Sequence, residues 1–149
     1  MALRSRRGEW AVTSPNEFID TNVLIYAFSS DPKSVPAEAL LAKGCATSVQ
    51  ALNEFANVGR RKLLLDWREL SDALDAIRAL VKPIAALDLD VHIVGIKLAE
   101  RYQLSVYDSM MVAAALRLGC ATFWSEDMQD GLCVDGRLTI RNPFAVGQI

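Results

Sequence analysis

The sequence predicts an α/β fold, a single domain built on a central parallel sheet, on three observations. Short apolar runs recur along the chain, stretches of helical periodicity separate them, and helix-starting residues follow several of the runs directly. Strands that alternate with amphipathic helices are joined by crossovers, which sets successive strands parallel. In such sheets the ligand site lies beyond the carboxyl ends of the strands, so residues at strand ends carry the functional argument. The expected domain covers residues 17–149, with about five strands flanked by helices. Residues 1–16 are polar, basic and aperiodic, and read as a flexible N-terminal extension.

Phe18-Ile19 forms the first strand and ends in Asp20, and Val23-Leu24-Ile25-Tyr26 continues into a helix. A helical stretch carrying Leu40, Leu41 and Ala42 is closed by Gly44, and Cys45-Ala46-Thr47 is the second strand. Ser48 is suited to cap the helix that runs through Glu54 and Phe55, because its hydroxyl can accept from a free N–H of the first turn. Asp66 and Glu69 form an acidic variant of the capping box. They open a helix with Leu70, Leu74, Ile77 and Val81 on one face, which Pro83 ends. Ile84-Ala85-Ala86-Leu87 is the third strand, and Asp90 caps a helix with the stripe Val91, Val94, Leu98 and Tyr102. Ser105 and Asp108 open another, with Met111, Ala114, Ala115 and Leu118 on its buried face and Gly119 just past its end. Ala121-Thr122-Phe123-Trp124 is the fourth strand and Leu138-Thr139-Ile140 the fifth.

At 149 residues, 52% hydrophobic and 23% charged, the chain can bury one core and is too apolar to be disordered. No apolar run approaches the roughly 20 residues of a membrane helix. The basic start, Met1 to Arg7, has no apolar signal segment after it, so no membrane association and a cytoplasmic location are expected. Cys45, Cys120 and Cys133 are odd in number and lack C-x-x-C spacing, against a disulfide framework and a zinc site; Cys45 and Cys120 read as small core residues. A net charge of −2 and a pI near 5.4 exclude a basic protein that merely coats nucleic acid. Any such contact must use local basic clusters.

Four acids then fall at one edge of the expected sheet. Asp20 ends the first strand, and Asp127 follows the fourth. Asp108 lies in the first turn of its helix, on the face of Met111 and Ala115, and Glu54 shares a face with Ala51 and Val58. Each has a plain structural reading beside the functional one. Asp20 could cap a helix, Asp108 could be the N3 member of a cap, and Asp127 could be a turn residue. Glu54 is hardest to reduce, because an ionised carboxylate is rarely buried without a partner. Together such acids repel unless cations offset them, and no Lys or Arg lies close in sequence to Asp20, Asp108 or Asp127. Hard oxygen donors without Cys or His favour Mg²⁺ or Mn²⁺. The chemistry such a site supports is phosphodiester hydrolysis, by activating a water and stabilising the leaving oxygen. Asp20 and Asp108 are the expected principal metal ligands. Glu54 and Asp127 complete the coordination, and Asn22 and Ser125 hold the carboxylates in place.

At these residues the sequence resembles a PIN domain, and specifically the VapC-type toxin ribonucleases of bacterial VapBC toxin–antitoxin pairs. The matching blocks are Phe18 to Tyr26, Ser48 to Phe55, Leu104 to Ser109, Ser125 to Gly131 and Asn142-Pro143-Phe144. Their order and spacing make the resemblance specific, and it spans Phe18 to Phe144. The family's acids map, in order, to Asp20, Glu54, Asp108 and Asp127, and Ser125 stands where many relatives carry Thr. Residues 1–16 depart from the pattern, since relatives begin almost directly at the first strand. The resemblance implies a PIN-like nuclease domain over 17–149 and Mg²⁺-dependent endonucleolytic cleavage of RNA. It further implies a homodimer and inhibition by a cognate VapB-like antitoxin that inserts a segment near the acids.

Arg60, Arg61 and Lys62 are candidate contacts to the RNA backbone; the alternative is a solvated helix end whose cations suit the helix dipole. Arg4, Arg6 and Arg7 belong to the flexible extension, His92 reads as a surface residue, and Trp67 and Trp124 read as packing residues. The helix from Val35 to Lys43 and the run Leu63-Leu64-Leu65 are candidate dimer or antitoxin surfaces. Two other functions compete. A haloacid-dehalogenase-like phosphohydrolase needs a second Asp two residues after the first, where this chain has Asn22. A non-catalytic PIN-fold binding module would usually have lost an acid, and all four are present.

Overall fold

The structure, a computed structural model, describes residues 2–4, 10–12 and 16–145. Within the segment expected as a flexible extension, β1 (Ala2–Arg4) and β2 (Trp10–Val12) pair antiparallel, Ala2 opposite Val12. The rest of that segment up to residue 15, Arg6 and Arg7 included, lies outside the described residues.

Phe18 and Ile19 place β3 (Glu17–Ile19) at the centre of the main sheet. They point to opposite faces, yet both are fully buried, the signature of a strand covered by helices on both sides. α1 (Thr21–Ala27) follows at once, then α2 (Ser34–Lys43), which ends at Gly44 with φ 92, a left-handed conformation that glycine adopts without strain. β4 (Thr47–Ser48) runs straight into α3 (Val49–Arg61), because Ser48 is both its last residue and the N-cap, accepting from the Ala51 N–H. α4 (Trp67–Leu80) opens with the full Asp66–Glu69 capping box. β5 (Ile84–Ala85) is shorter than expected, since its partner β4 turns into a helix at Ser48 and leaves Ala86 and Leu87 nothing to pair with.

α5 (Leu89–Tyr102) corrects the expected cap. Asp88, not Asp90, is the N-cap: its carboxylate accepts from the Val91 N–H at 3.0 Å and is also held by Arg117, leaving Asp90 in the first turn. α6 (Val106–Arg117) is more enclosed than its sequence suggested. Residues 109–116 are buried on every side, and the run Ala113 to Ala115 lets neighbours approach closely all round. β6 (Thr122–Trp124) pairs parallel with β3, Phe123 opposite Phe18, and the two rings stack with centroids 5.0 Å apart. β7 (Cys133–Val134) was not expected. It forms a hairpin with β8 (Leu138–Arg141) through Asp135 and Gly136, both at positive φ. An Asp-Gly pair between apolar runs is a known hairpin signal.

The parallel strands run β5-β4-β3-β6-β8, with β7 antiparallel on the outer edge. The Phe18–Ala46 bridge links β3 to the segment leading into β4, and Ile19 N–H donates to Ala46 O at 2.9 Å. The parallel α/β architecture is thus as the sequence predicts. Among the described residues no helix is long and apolar enough to cross a membrane.

Candidate active site

Sheet order fixes where the site must lie. From β3 the chain builds first toward β4 and β5, and later returns to place β6 and β8 on β3's other side. The order therefore reverses between β3 and β6, and the crevice beyond their carboxyl ends is a topological switch point. Asp20 is the first residue past β3, and Ser125 the first past β6.

Asp20 is buried, and every bond it makes serves to orient it. One oxygen, Oδ1, caps α1 by accepting from the Thr21 N–H at 2.6 Å. The other accepts from Ser125 Oγ at 2.7 Å and from Asn22 Nδ2 at 3.3 Å. Ser125 is fully buried, and its Oγ also accepts from the N–H groups of Asp127 and Met128, which ties down the loop after β6. Asn22 reaches the same loop through both polar atoms of its side chain. Its Nδ2 donates to Asp127 Oδ2 at 3.1 Å, and its Oδ1 accepts from the Glu126 N–H at 3.3 Å.

The remaining acids arrive on helices. Glu54 stands in mid-α3 and accepts from Thr21 Oγ1 at 3.3 Å; Gln50, one turn earlier, also hydrogen-bonds it. Asp108 is the third residue of α6, and its N–H donates to the capping hydroxyl of Ser105 at 3.2 Å. Asp20 and Asp108 thus serve as helix-start residues and as site acids at once. Thr21 and Gln50 were not singled out in the sequence. Asp-Thr-Asn is an ordinary helix opening, while Gln50 lies four residues before Glu54, a spacing that puts both on one helix face.

The electrostatics tie the four acids into one group. Burial pushes the Asp20 carboxyl up from its ordinary 3.8 to about 7, and the charges of Asp108 and Glu54 add to the rise against the Ser125 and Thr21 hydrogen bonds. Burial also raises Glu54, helped by Asp108 and Asp127, and raises Asp108, helped by Asp127. Among the described residues, ion pairs join Lys33 to Glu126, Lys43 to Glu17, Arg78 to Asp75, Arg101 to Asp135 and Arg117 to Asp88; none involves the four acids.

Oxygen-donor side chains whose neighbouring charges raise the proton affinity of Asp20, Glu54 and Asp108, with no ion pair to any of the four acids among the described residues, have the chemistry of a hard divalent-metal site. Among the described residues no three acidic side chains are drawn close enough to make a finished coordination shell. The donor chemistry fits a hard divalent ion, which would offset the mutual repulsion of these carboxylates.

Other expected residues fall elsewhere. Arg60 is engaged locally: it donates to Leu65 O at 2.7 Å and its guanidinium lies 4.1 Å over the Trp67 ring. Arg61 and Lys62 are exposed at the same end of α3, two turns beyond Glu54. Trp67 is 70% exposed, which corrects its reading as a packing residue: it is the first residue of α4, just past the cap, and faces out. Trp124 is buried, as expected, and His92 is exposed.

An α/β domain with acids gathered at its switch point defines a class shared by many phosphodiester-cleaving and phosphate-handling folds. The PIN domain family model matches residues 18–129, and the chain belongs to the PIN domain family. No curated protein matches the sequence significantly. Among solved structures, a toxin–antitoxin complex from Klebsiella pneumoniae is similar with a TM-score of 0.66 and 20% identity, covering 87% of this chain and 98% of that one. VapBC2 from Rickettsia felis, bound to a DNA fragment from its promoter, is similar at 0.62 and 19%, covering 85% and 97%. VapC20 from Mycobacterium tuberculosis, described as a sarcin–ricin-loop-cleaving toxin, is similar at 0.60 and 20%, covering 72% and 87%. At these identities the likeness is one of fold.

Proposed function

We propose that this protein is a toxin endoribonuclease that hydrolyses RNA phosphodiester bonds with Mg²⁺ (or Mn²⁺) held by Asp20 and Asp108. In this reading it is a homodimer neutralised by a cognate VapB-like antitoxin. The observation that supports the reading is electrostatic: the charges of neighbouring acids raise Asp20, Glu54 and Asp108 near the switch point, and none of these three or Asp127 has an ion pair among the described residues. The similar structures, a toxin–antitoxin complex and a sarcin–ricin-loop-cleaving toxin among them, agree with it.

When bound, the metal supplies Lewis-acid activation of water and charge stabilisation at the leaving oxygen. The chain's own residues do the positioning. Ser125, Asn22 and the Thr21 N–H hold the Asp20 carboxylate in one orientation. The Thr21 hydroxyl holds Glu54. Glu54 and Asp127 orient the attacking water, and the raised proton affinity of Glu54 suits it to take that water's proton. Arg61 and Lys62, exposed on the α3 end, are the basic residues left to meet the RNA backbone, with Arg60 beside them.

The test is cleavage of total RNA by purified protein with and without Mg²⁺, beside Asp20→Asn. The wild type should cut only with the metal. The variant should keep its fold and lose more than about a hundredfold in rate, beyond the range for residues that only support a ligand. Metal-free cleavage, or cleavage that survives Asp20→Asn, would overturn the reading. RNA bound but left uncut would point instead to a binding module.

A further inference from the structure

Resting on the reading of the four acids as the reactive centre, we propose that Glu126, clamped by Tyr26 and Lys33, is a positioning residue that fixes Asp127 in the site.

Asp127 is the exposed member of the four acids, so packing does little to hold it. It stands on Ser125-Glu126-Asp127, where alternate residues diverge. Ser125 and Asp127 face Asp20 and Asn22, while the Glu126 side chain turns outward to a separate set of partners. Its Oε1 accepts from Tyr26 Oη at 2.9 Å, and its Oε2 accepts from Lys33 Nζ at 2.7 Å. The Lys33 ammonium lies 5.0 Å from the Tyr26 ring centroid and 5.6 Å from that of Phe144, and those two rings meet edge to face. One carboxylate therefore joins α1 and the α1–α2 connection to the loop carrying Asp127, and Phe144 packs against both of its partners. Inside the loop, the Glu126 N–H is held by Asn22 Oδ1, the side chain that also bonds Asp127. Loss of the clamp frees the middle residue of the tripeptide and, with it, the direction of the next.

Lys33 and Glu126 are part-exposed, at 42% and 25% of side-chain area, and such pairs add little to global stability. A clamp of this kind therefore acts locally, which separates positioning from scaffolding. The experiment compares full-length wild type with Glu126→Ala, Glu126→Gln and Lys33→Met. Lys43→Met serves as control, since it breaks a similar pair with Glu17 at the opposite end of β3. The readouts are melting temperature, amide hydrogen exchange at residues 126–128, and Mn²⁺ affinity by electron paramagnetic resonance. Glu126→Ala should melt within about 2 °C of wild type, exchange faster at Asp127 and Met128, and bind Mn²⁺ about tenfold more weakly. Glu126→Gln, which keeps one acceptor oxygen, should fall between, and Lys43→Met should match wild type. Wild-type exchange at 127 and 128 in Glu126→Ala would overturn the inference, as would a lowered melting temperature with exchange raised uniformly. If wild type binds no Mn²⁺, the metal-nuclease reading fails, and the exchange comparison alone decides the clamp.

Discussion

The Ser125 hydroxyl shows how much of the site hangs on single buried atoms. It donates to Asp20 and accepts from two backbone N–H groups, those of Asp127 and Met128, with no solvent exposure to replace any of them. Ser125→Ala should therefore cost about 1–3 kcal/mol, the penalty for orphaning buried polar groups, and lower the melting temperature by several degrees. It should also push the Asp20 carboxyl higher still, because the Ser125 bond is the strongest influence holding it down. Thermal melts and carboxyl-carbon titration by NMR read both effects, and a variant as stable as wild type would contradict the account. At this scale the sequence was informative where position along a strand decides the outcome. Asp20, Asn22, Ser125 and Asp127 could be placed because strands end in a common edge. The Gln50 bond to Glu54 lies at i, i+4 on one helix and was legible in principle. The Thr21 bond to Glu54 was not, since a contact between the start of one helix and the middle of another leaves no mark in spacing. The Glu126 clamp was hidden for the same reason: Tyr26, Lys33 and Phe144 come from three segments that meet only in the fold.

Helix packing decides where Asp108 sits, and one glycine governs it. At Gly95 of α5, an added Cβ would lie 2.8 Å from Met110 Cε, 2.9 Å from its Sδ and 3.3 Å from the Ser109 carbonyl oxygen of α6. Alanine would gain about 1 kcal/mol of helix propensity. Overpacking costs about 1–3 kcal/mol, and here Met110 is itself buried while the Ser109 carbonyl is backbone. Gly95→Ala should thus destabilise by about 1 kcal/mol net. By displacing the first turns of α6 it should also weaken Mn²⁺ binding. Denaturant melts check the first effect, and a stabilised variant would show that α6 yields freely. The helices were legible in the sequence because their apolar faces repeat at helical spacing. Their limits were less so. Two acids stand near the start of α5, and only the geometry of the Val91 N–H and the reach of Arg117 select Asp88. β5 stops early because β4 gives way to a helix. β7 went unseen although Asp135-Gly136 marks its turn, since a strand of two residues carries no alternation of its own.

For the molecule as a whole, crowded carboxyls couple folding to pH and to metal. Asp20, Glu54 and Asp108 all hold protons more tightly in the folded chain than in the unfolded one. Stability from such groups is fully present below their unfolded pKa and is lost as pH rises through the folded value. For Asp20 the window runs from 3.8 to about 7. A difference of roughly 3 units, at about 1.4 kcal/mol each, sets a ceiling of about 4 kcal/mol for the loss. Asp88 works in the opposite sense, since its carboxyl is held below the ordinary value by the Val91 N–H and Arg117. Its contribution disappears only as pH falls below that range, outside the Asp20 window. The metal-free protein should therefore melt at a lower temperature at pH 8 than at pH 5. A divalent ion needs the carboxylates deprotonated, so protons compete with it, and any ligand that binds only the folded state raises its stability. Mg²⁺ should thus raise the melting temperature strongly at pH 8 and little at pH 5, and the rise should vanish in Asp20→Asn. An equal rise at both values would place the ion elsewhere. A metal-free protein that gains stability between pH 5 and pH 8 would mean that the carboxyls already have a cationic partner, and that the crowding at the switch point is neutralised without a metal.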